Sequence, residues 1–344
     1  MVFSADLETG PEAAEAVAKL CPANPFFTPS YLQAMRSQGH QPWRLEMRER
    51  NQGGGACFCY VRAGRINKTL SIPSLPAMAA HSEFWEGLLR QVRAINISRL
   101  EVNTYCSPLL AIPALSGETR RRTRYEYIVE LQANDLWTTL HENHRRRVRK
   151  ASKAGLHIQC AGEEKACHEH AALMASSMGR RASRGEDVPA EFAVSSFKPL
   201  LESGAGRLYQ AVRGNQVLSS VLLLVASQGV YLHSGGTDPE GMDLGASHWL
   251  HHELMQALRE EGKVLYNLGG TEDPGSGLAL FKARFGAQER RLEAVEAFPG
   301  TGVRSLASLL ARRAGDSCRR MLAMLKPAGR PEPSGNHSKK QERA

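Results

Sequence analysis

Lys282 is the residue of this 344-residue chain with the plainest chemical use. It follows Phe281 near the end of the stretch Asn267–Gly286, which reads NLGGTEDPGSGLALFKARFG. A positioned ammonium is a group that can stabilise negative charge developing in a reaction. The apolar run Val264-Leu265-Tyr266 stops at Asn267, and Gly269 and Gly270 let a ligand or another backbone come close. A solvated helix lysine is the competing reading. Glu272 and Asp273 in the adjoining loop, and Asp238 further back, are carboxylates able to act as a general base. Each of them equally suits a loop acid that satisfies turn amides. His233 fits a site at the end of its strand, or a half-buried place in a sheet.

A second constellation is Arg145-Arg146-Arg147-Val148-Arg149-Lys150. Cations at helical spacing suit contact with phosphates, and Arg145, Arg146 and Arg149 are candidates for it; a solvated helix face is the alternative. His248, His251 and His252 include an i, i+4 pair, but neither HExxH spacing nor a third ligand follows, so no metal is expected. Cys57 and Cys59 share one strand face and read as packing residues.

The elements that must position these groups follow from periodicity. Helices are expected from Thr28 or Ser30 through Arg36 and over Ser82–Ile95, where Phe84, Leu88, Val92 and Ile95 share a face. One long helix is expected from an Asn134 cap through Asp135 to about Lys153, closed by Gly155. Others run over 163–178, up to about Leu201, and over 246–261, with a short one around Phe281. Strands are expected at 43–49 and 56–62 (a hairpin through Gly53–Gly55), 99–104, 125–131, 156–160, 207–212, 216–225, 230–234, 263–268 and 288–297. The order helix, hairpin, strand, helix, strand occurs twice, which predicts two similar α/β halves divided near residue 130.

Composition bounds the rest. The chain is 42% hydrophobic and 23% charged, as ordinary globular proteins are. No apolar run approaches the roughly 20 residues of a membrane-spanning helix, and the acidic N-terminus does not read as a signal peptide. Seven scattered cysteines point to a reducing cytoplasm rather than a disulfide framework. The net charge of +9 is concentrated in two segments. Residues 119–155 hold 10 Lys/Arg against 4 Asp/Glu, and residues 301–344 hold 10 against 3. Within the second, residues 303–325 read as a basic amphipathic segment suited to peripheral contact with the inner membrane face, and 327–344 as a disordered tail.

Four hairpin-linked strands, a helix, a strand and another helix match the order of an acyl-CoA-dependent N-acyltransferase (GNAT) domain. NHRRRVRKASKAGL, QVLSSVLLLV and above all YNLGGT…GLALFKARFG resemble the Fem-type aminoacyltransferases and the CelD-type polysaccharide-biosynthesis acyltransferases, over about Leu136–Ala297. The resemblance implies an α/β fold of tandem GNAT-like domains, each a mixed, mostly antiparallel sheet flanked by helices. These would be a degenerate domain over 1–130 and an acyltransferase domain over 131–300, followed by the segments 301–326 and 327–344. It also implies transfer of an acyl or aminoacyl group to an amine on a small-molecule or lipid-linked cell-envelope or exopolysaccharide precursor, with Lys282 and Phe281 at the activated ester. Arg184 lies where such folds admit the acceptor. The GNAT phosphate turn corresponds here to Met242–Ser247, in which only Gly245 fits and Asp243 adds a negative charge. This departure disfavours acyl-CoA as donor and keeps aminoacyl-tRNA open. A second class of reading is a non-catalytic RNA- or anionic-membrane-binding protein on a decayed transferase fold.

Overall fold

A computed structural model describes residues 2–7, 10–48, 54–64, 67–108, 111–132, 135–186, 188 and 192–299. The expected Asn134 cap, the 303–325 segment and the tail lie outside the described residues. The first half runs β1 (Val2–Leu7), α1 (Pro11–Leu20), α2 (Pro29–Ser37), β2 (Gln41–Arg48), β3 (Gly55–Ala63), β4 (Lys68–Ile72), α3 (Ser82–Ala94) and β5 (Arg99–Val102). There follow β6 (Glu118–Glu130), α4 (Leu136–Thr139), α5 (Glu142–Ser152), β7 (His157–Ala161), α6 (Glu164–Ala182) and α7 (Lys198–Glu202). The chain continues through β8 (Gly206–Arg213), β9 (Gln216–Val225), β10 (Gly229–Thr237), α8 (Pro239–Leu244), α9 (Ala246–Glu260), β11 (Leu265–Thr271), α10 (Gly277–Ala283) and β12 (Gln288–Ala297).

The twelve strands of the described residues form one sheet, ordered β1-β2-β3-β4-β5-β12-β6-β11-β10-β9-β8-β7. Within it β1 to β4 and β7 to β10 are antiparallel series, and each ends on a parallel neighbour reached through a helix: β4 on β5 through α3, β10 on β11 through α9. The two halves therefore repeat. They also exchange strands. β6 follows β5 in the chain yet pairs with β11, while β12 follows β11 yet pairs with β5 and β6.

Two differences from the sequence reading have local causes. The expected helix over 135–153 is broken, because Leu140 takes an extended conformation and the His141 amide donates to the Arg284 carbonyl at 2.9 Å. Asp135 caps the first piece and His141 the second. β6 starts at Glu118 rather than Tyr125, since its arginine run ladders along β12, where Arg121 pairs with Glu293. β1 and α1 are further elements that the periodicity did not reveal. Apolar side chains gather on the two faces of the sheet. One core joins the first half to α6 and α7; the other packs α5, α9 and α10 against β8 to β11.

Candidate active site

The two parallel pairs of the sheet are not alike. β4 and β5 pair from Thr69/Arg99 to Ile72/Val102, and the ladder runs on, with the amides of Asn103 and Tyr105 donating to the carbonyls of Ile72 and Pro73 at 2.7 and 3.0 Å. β10 and β11 pair over only three positions, Gly229/Leu265 to Tyr231/Asn267, and then part. β10 bulges between Leu232 and Ser234, and β11 is irregular between Asn267 and Gly270. The Gly269 amide no longer reaches across; it donates to the Asn267 side chain at 2.8 Å. Gly269 has φ +70°, and an added Cβ would stand 2.9 Å from the Leu232 carbonyl oxygen. Glycine is what lets β11 turn aside there.

The parting opens a cleft of about 370 Å³ walled by β6, β9, β10, β11, α6, α9 and α10. Lys282, Phe281, Gly269, Gly270 and His233 all line it. α10 is short; Ser276 caps it, accepting from the Ala279 amide, and Phe281 anchors it among Phe285, His144, His248 and His251 at ring separations of 5.0 to 5.9 Å. That anchoring turns Lys282 inward. It is 5% exposed, and its Nζ donates to the Gly270 carbonyl at 3.0 Å. Burial brings the ammonium down to about 7 against the pull of Glu126, with Arg124 and Arg181 pushing the same way as burial. The solvated-lysine reading therefore does not hold.

Beneath Lys282 lies a buried polar cluster that sequence reasoning missed. The carboxylate of Glu126 accepts from the Asn267 amide at 2.8 Å and from the Cys106 backbone N–H at 3.2 Å. Arg124 stands 3.5 Å from the other oxygen of Glu126, and its guanidinium lies 4.1 Å over the ring of Tyr105. Burial raises the Glu126 carboxyl above its usual range, against the pull of Arg124 and Asn267. Asn267 thus mends the broken ladder and holds Glu126 at once. His170, fully buried on α6, bridges Ser220 and Ser234 of the cleft wall at 2.6 and 2.9 Å. Nothing in RRRTRYEY marks Arg124 or Glu126 apart from their neighbours, because the contacts that distinguish them come from β11 and from the segment after β5.

The other candidates lie farther out. Asp238 caps α8, accepting from the Gly241 amide at 2.6 Å and from Gln216 at 3.3 Å. Glu272 is exposed and pairs with Arg122 at 2.7 Å. Arg184 is exposed and pairs with Glu186 at 3.1 Å, one turn beyond the cleft-lining Arg181. Gly245 (φ +85°) closes α8 and opens α9 in one residue, and α9 has no side-chain cap. Its first N–H groups are the kind that bind anionic oxygens. Arg147 and Lys150 of α5 donate to the Asp243 carbonyl at 3.2 and 2.7 Å, so the basic helix is docked on this turn. Arg145 is half-buried on α5 and Arg146 is exposed there, while Arg149 lies 5.1 Å over Trp137. Among the described residues no His/Cys/Asp/Glu group could hold a metal ion, and no helix is long and apolar enough to cross a membrane.

The parted sheet and the uncapped start of α9 meet at this cleft, whose lining includes Ser247. Residues 139–283 match the model of an acetyltransferase (GNAT) domain. Among solved structures, FemX superposes with a TM-score of 0.62 at 14% identity, covering 86% of this chain and 97% of that one. A tandem GNAT protein from the clavulanic acid biosynthesis pathway gives 0.50 at 10% identity over 88% and 100%. The C-terminal domain of a putative lysylphosphatidylglycerol synthetase from Agrobacterium fabrum gives 0.50 at 16% over 87% and 95%. No curated protein matches in sequence. Residues 139–283 thus match a GNAT domain, in a chain that shares its fold with FemX and with a tandem GNAT protein.

Proposed function

We propose that this protein is an N-acyltransferase that moves an acyl group from an activated thioester to an amine. The observation that carries the reading is the buried Lys282 Nζ at the gap between β10 and β11. The amine nitrogen attacks the thioester carbonyl and the oxygen takes up negative charge, which the Lys282 ammonium meets. The C–S bond then breaks, the thiolate leaves, and the proton of the nitrogen passes to a base. Glu272 and Asp238, each one residue past the end of its strand (β11 and β10), are the base candidates.

The start of α9 with Gly245, flanked by Arg147 and Lys150, supports a phosphate-bearing donor such as acyl-CoA. Those two cations bond the backbone carbonyl of Asp243 and so border the turn on its basic side. The Arg145, Arg146 and Arg149 face supports aminoacyl-tRNA as a second donor reading. FemX and the lysylphosphatidylglycerol synthetase domain share the fold, which supports an acceptor among cell-envelope or exopolysaccharide precursors, met at the cytoplasmic membrane face. Of the spans assigned as 1–130 and 131–300, the second carries Lys282 and the start of α9, while β6, at the end of the first, brings Arg124 to the cleft.

The test is turnover of acyl-CoAs and aminoacyl-tRNA with amine acceptors by wild type and Lys282→Ala. Loss of one oxyanion donor costs about 10²- to 10³-fold in kcat. Full turnover by Lys282→Ala would remove Lys282 from the mechanism. In Glu272→Gln and Asp238→Asn, disappearance of the acidic limb of the pH profile identifies the base.

A further inference from the structure

The described side chains lining the cleft include three cations, Arg124, Arg181 and Lys282, and no carboxylate. The two acids nearest them sit behind. Glu126 is completely buried under Arg124, and Glu186 holds the Nε of Arg181 at 2.7 Å from the solvent side. A cleft lined by one sign of charge attracts the opposite sign. Arg124 adds a specific vacancy in its hydrogen bonding: its Nη1 is buried without a hydrogen-bond partner. A buried guanidinium N–H left unmade is costly, and an anionic oxygen from a substrate would satisfy it.

Position says which substrate. The donor's phosphates belong with the α9 start, at the Ser247 end of the cleft, where Arg147 and Lys150 already lie. Arg124 and Arg181 come from β6 and α6, on other walls. We infer that the acceptor is an amine that also carries an anionic oxygen group, carboxylate or phosphate, held by Arg124 and Arg181 while its nitrogen faces the carbonyl at Lys282. This rests on the acyl-transfer reading of the cleft and adds the acceptor's chemical class.

The experiment is binding of three small amines to the full chain without donor, by calorimetry or thermal shift: β-alanine, 2-aminoethyl phosphate and the neutral β-alaninamide. The expected result is that one or both anionic amines bind at least tenfold more tightly than the amide. Arg181→Gln and Arg124→Gln each remove that preference. Arg181 is half-buried at the cleft mouth, so its variant serves if Arg124→Gln fails to fold around the stranded Glu126. Preference for the carboxylate or for the phosphate tells which group the acceptor bears. Equal binding of the amide, no binding of any probe, or an unchanged preference in folded Arg181→Gln overturns the inference. If anionic amines bind but no donor is ever consumed, the transfer reading fails and the subsite stands. If donor is consumed equally with neutral amines, the reverse holds.

Discussion

The guanidinium of Arg124 lies 4.1 Å over the ring of Tyr105, a residue the first half inserts into the site of the second. Tyr105 also stacks on Phe26 at 5.4 Å and meets the ring of Tyr231 edge-on at 5.9 Å. The first half has zipped its own parallel pair shut and supplies a platform instead. A desolvated cation–π contact contributes about 1–2 kcal/mol. Tyr105→Leu is therefore expected to lower kcat/KM by roughly 5- to 30-fold, and Tyr105→Phe, which keeps the ring, by less than about threefold. Equal losses in the two variants would show that the hydroxyl, not the ring, matters.

Lys282 sets a pH dependence with a defined sign. Its ammonium is the form that meets an oxyanion, and burial places its titration near 7. Turnover limited by Lys282 should fall as pH rises through about 7. Lys282→Arg, charged throughout, should lack that alkaline limb even with a reduced rate. Stability runs the other way. The unfolded lysine holds its proton to about 10.4, so from about 7 upward the unfolded state binds more protons and folding gains with rising pH. Lys282→Met should raise the melting temperature at pH 8, with the gap narrowing toward pH 10.

Gly245 tests the donor end. Its φ of +85° is one that an L side chain adopts at a cost of about 1–2 kcal/mol, and an added Cβ would stand 3.0 Å from the Arg147 carbonyl oxygen. Gly245→Ala should lower the melting temperature by a few degrees and raise the donor KM about tenfold or more, with the acceptor KM little changed. A selective rise in the acceptor KM would move the donor away from this turn.

Four buried or half-buried histidines make the fold acid-sensitive. Burial brings His144 and His170 down to about 4 and His248 and His251 down to about 3. In the unfolded chain they titrate near 6.5, so the unfolded state takes up protons first. The stability they contribute is full above about 6.5 and is lost as pH falls toward the folded values. Each proton is worth about 1.4 kcal/mol per pH unit in that window. His251→Phe, placed among Phe281 and Phe285, should flatten the fall of urea-unfolding free energy between pH 6 and 4 by one proton. An unchanged slope would mean that His251 is not neutral in the fold.

Much of the second half is legible in the residues alone. QVLSSVLLLV reads as a buried strand and forms one, and β12 occupies the expected 288–297 span. The Gly-Gly strand end followed by Phe281-Lys282 marks the cleft, because a backbone that must turn aside requires glycine locally. These are short-range signals. Strand and helix periods report which side chains share a face, and turn chemistry reports where the chain bends.

What lies around Lys282 was decided only in three dimensions. Arg124 and Glu126 arrive on β6, Tyr105 and Cys106 after β5, and Arg181 on α6, and no spacing in the chain relates them to Lys282. The break at Leu140 depends on a carbonyl of Arg284, and the docking of α5 depends on carbonyls of Met242 and Asp243. Whether a lysine is a solvated ammonium or a site group near neutral pH depends on the water and charges around it. The sequence by itself indicated most of the elements, the glycine bend and the lysine. The parted strands and the buried charges beneath them, which set that lysine's surroundings, belong to the tertiary structure, because desolvation and charge pairing are properties of neighbours brought from far along the chain.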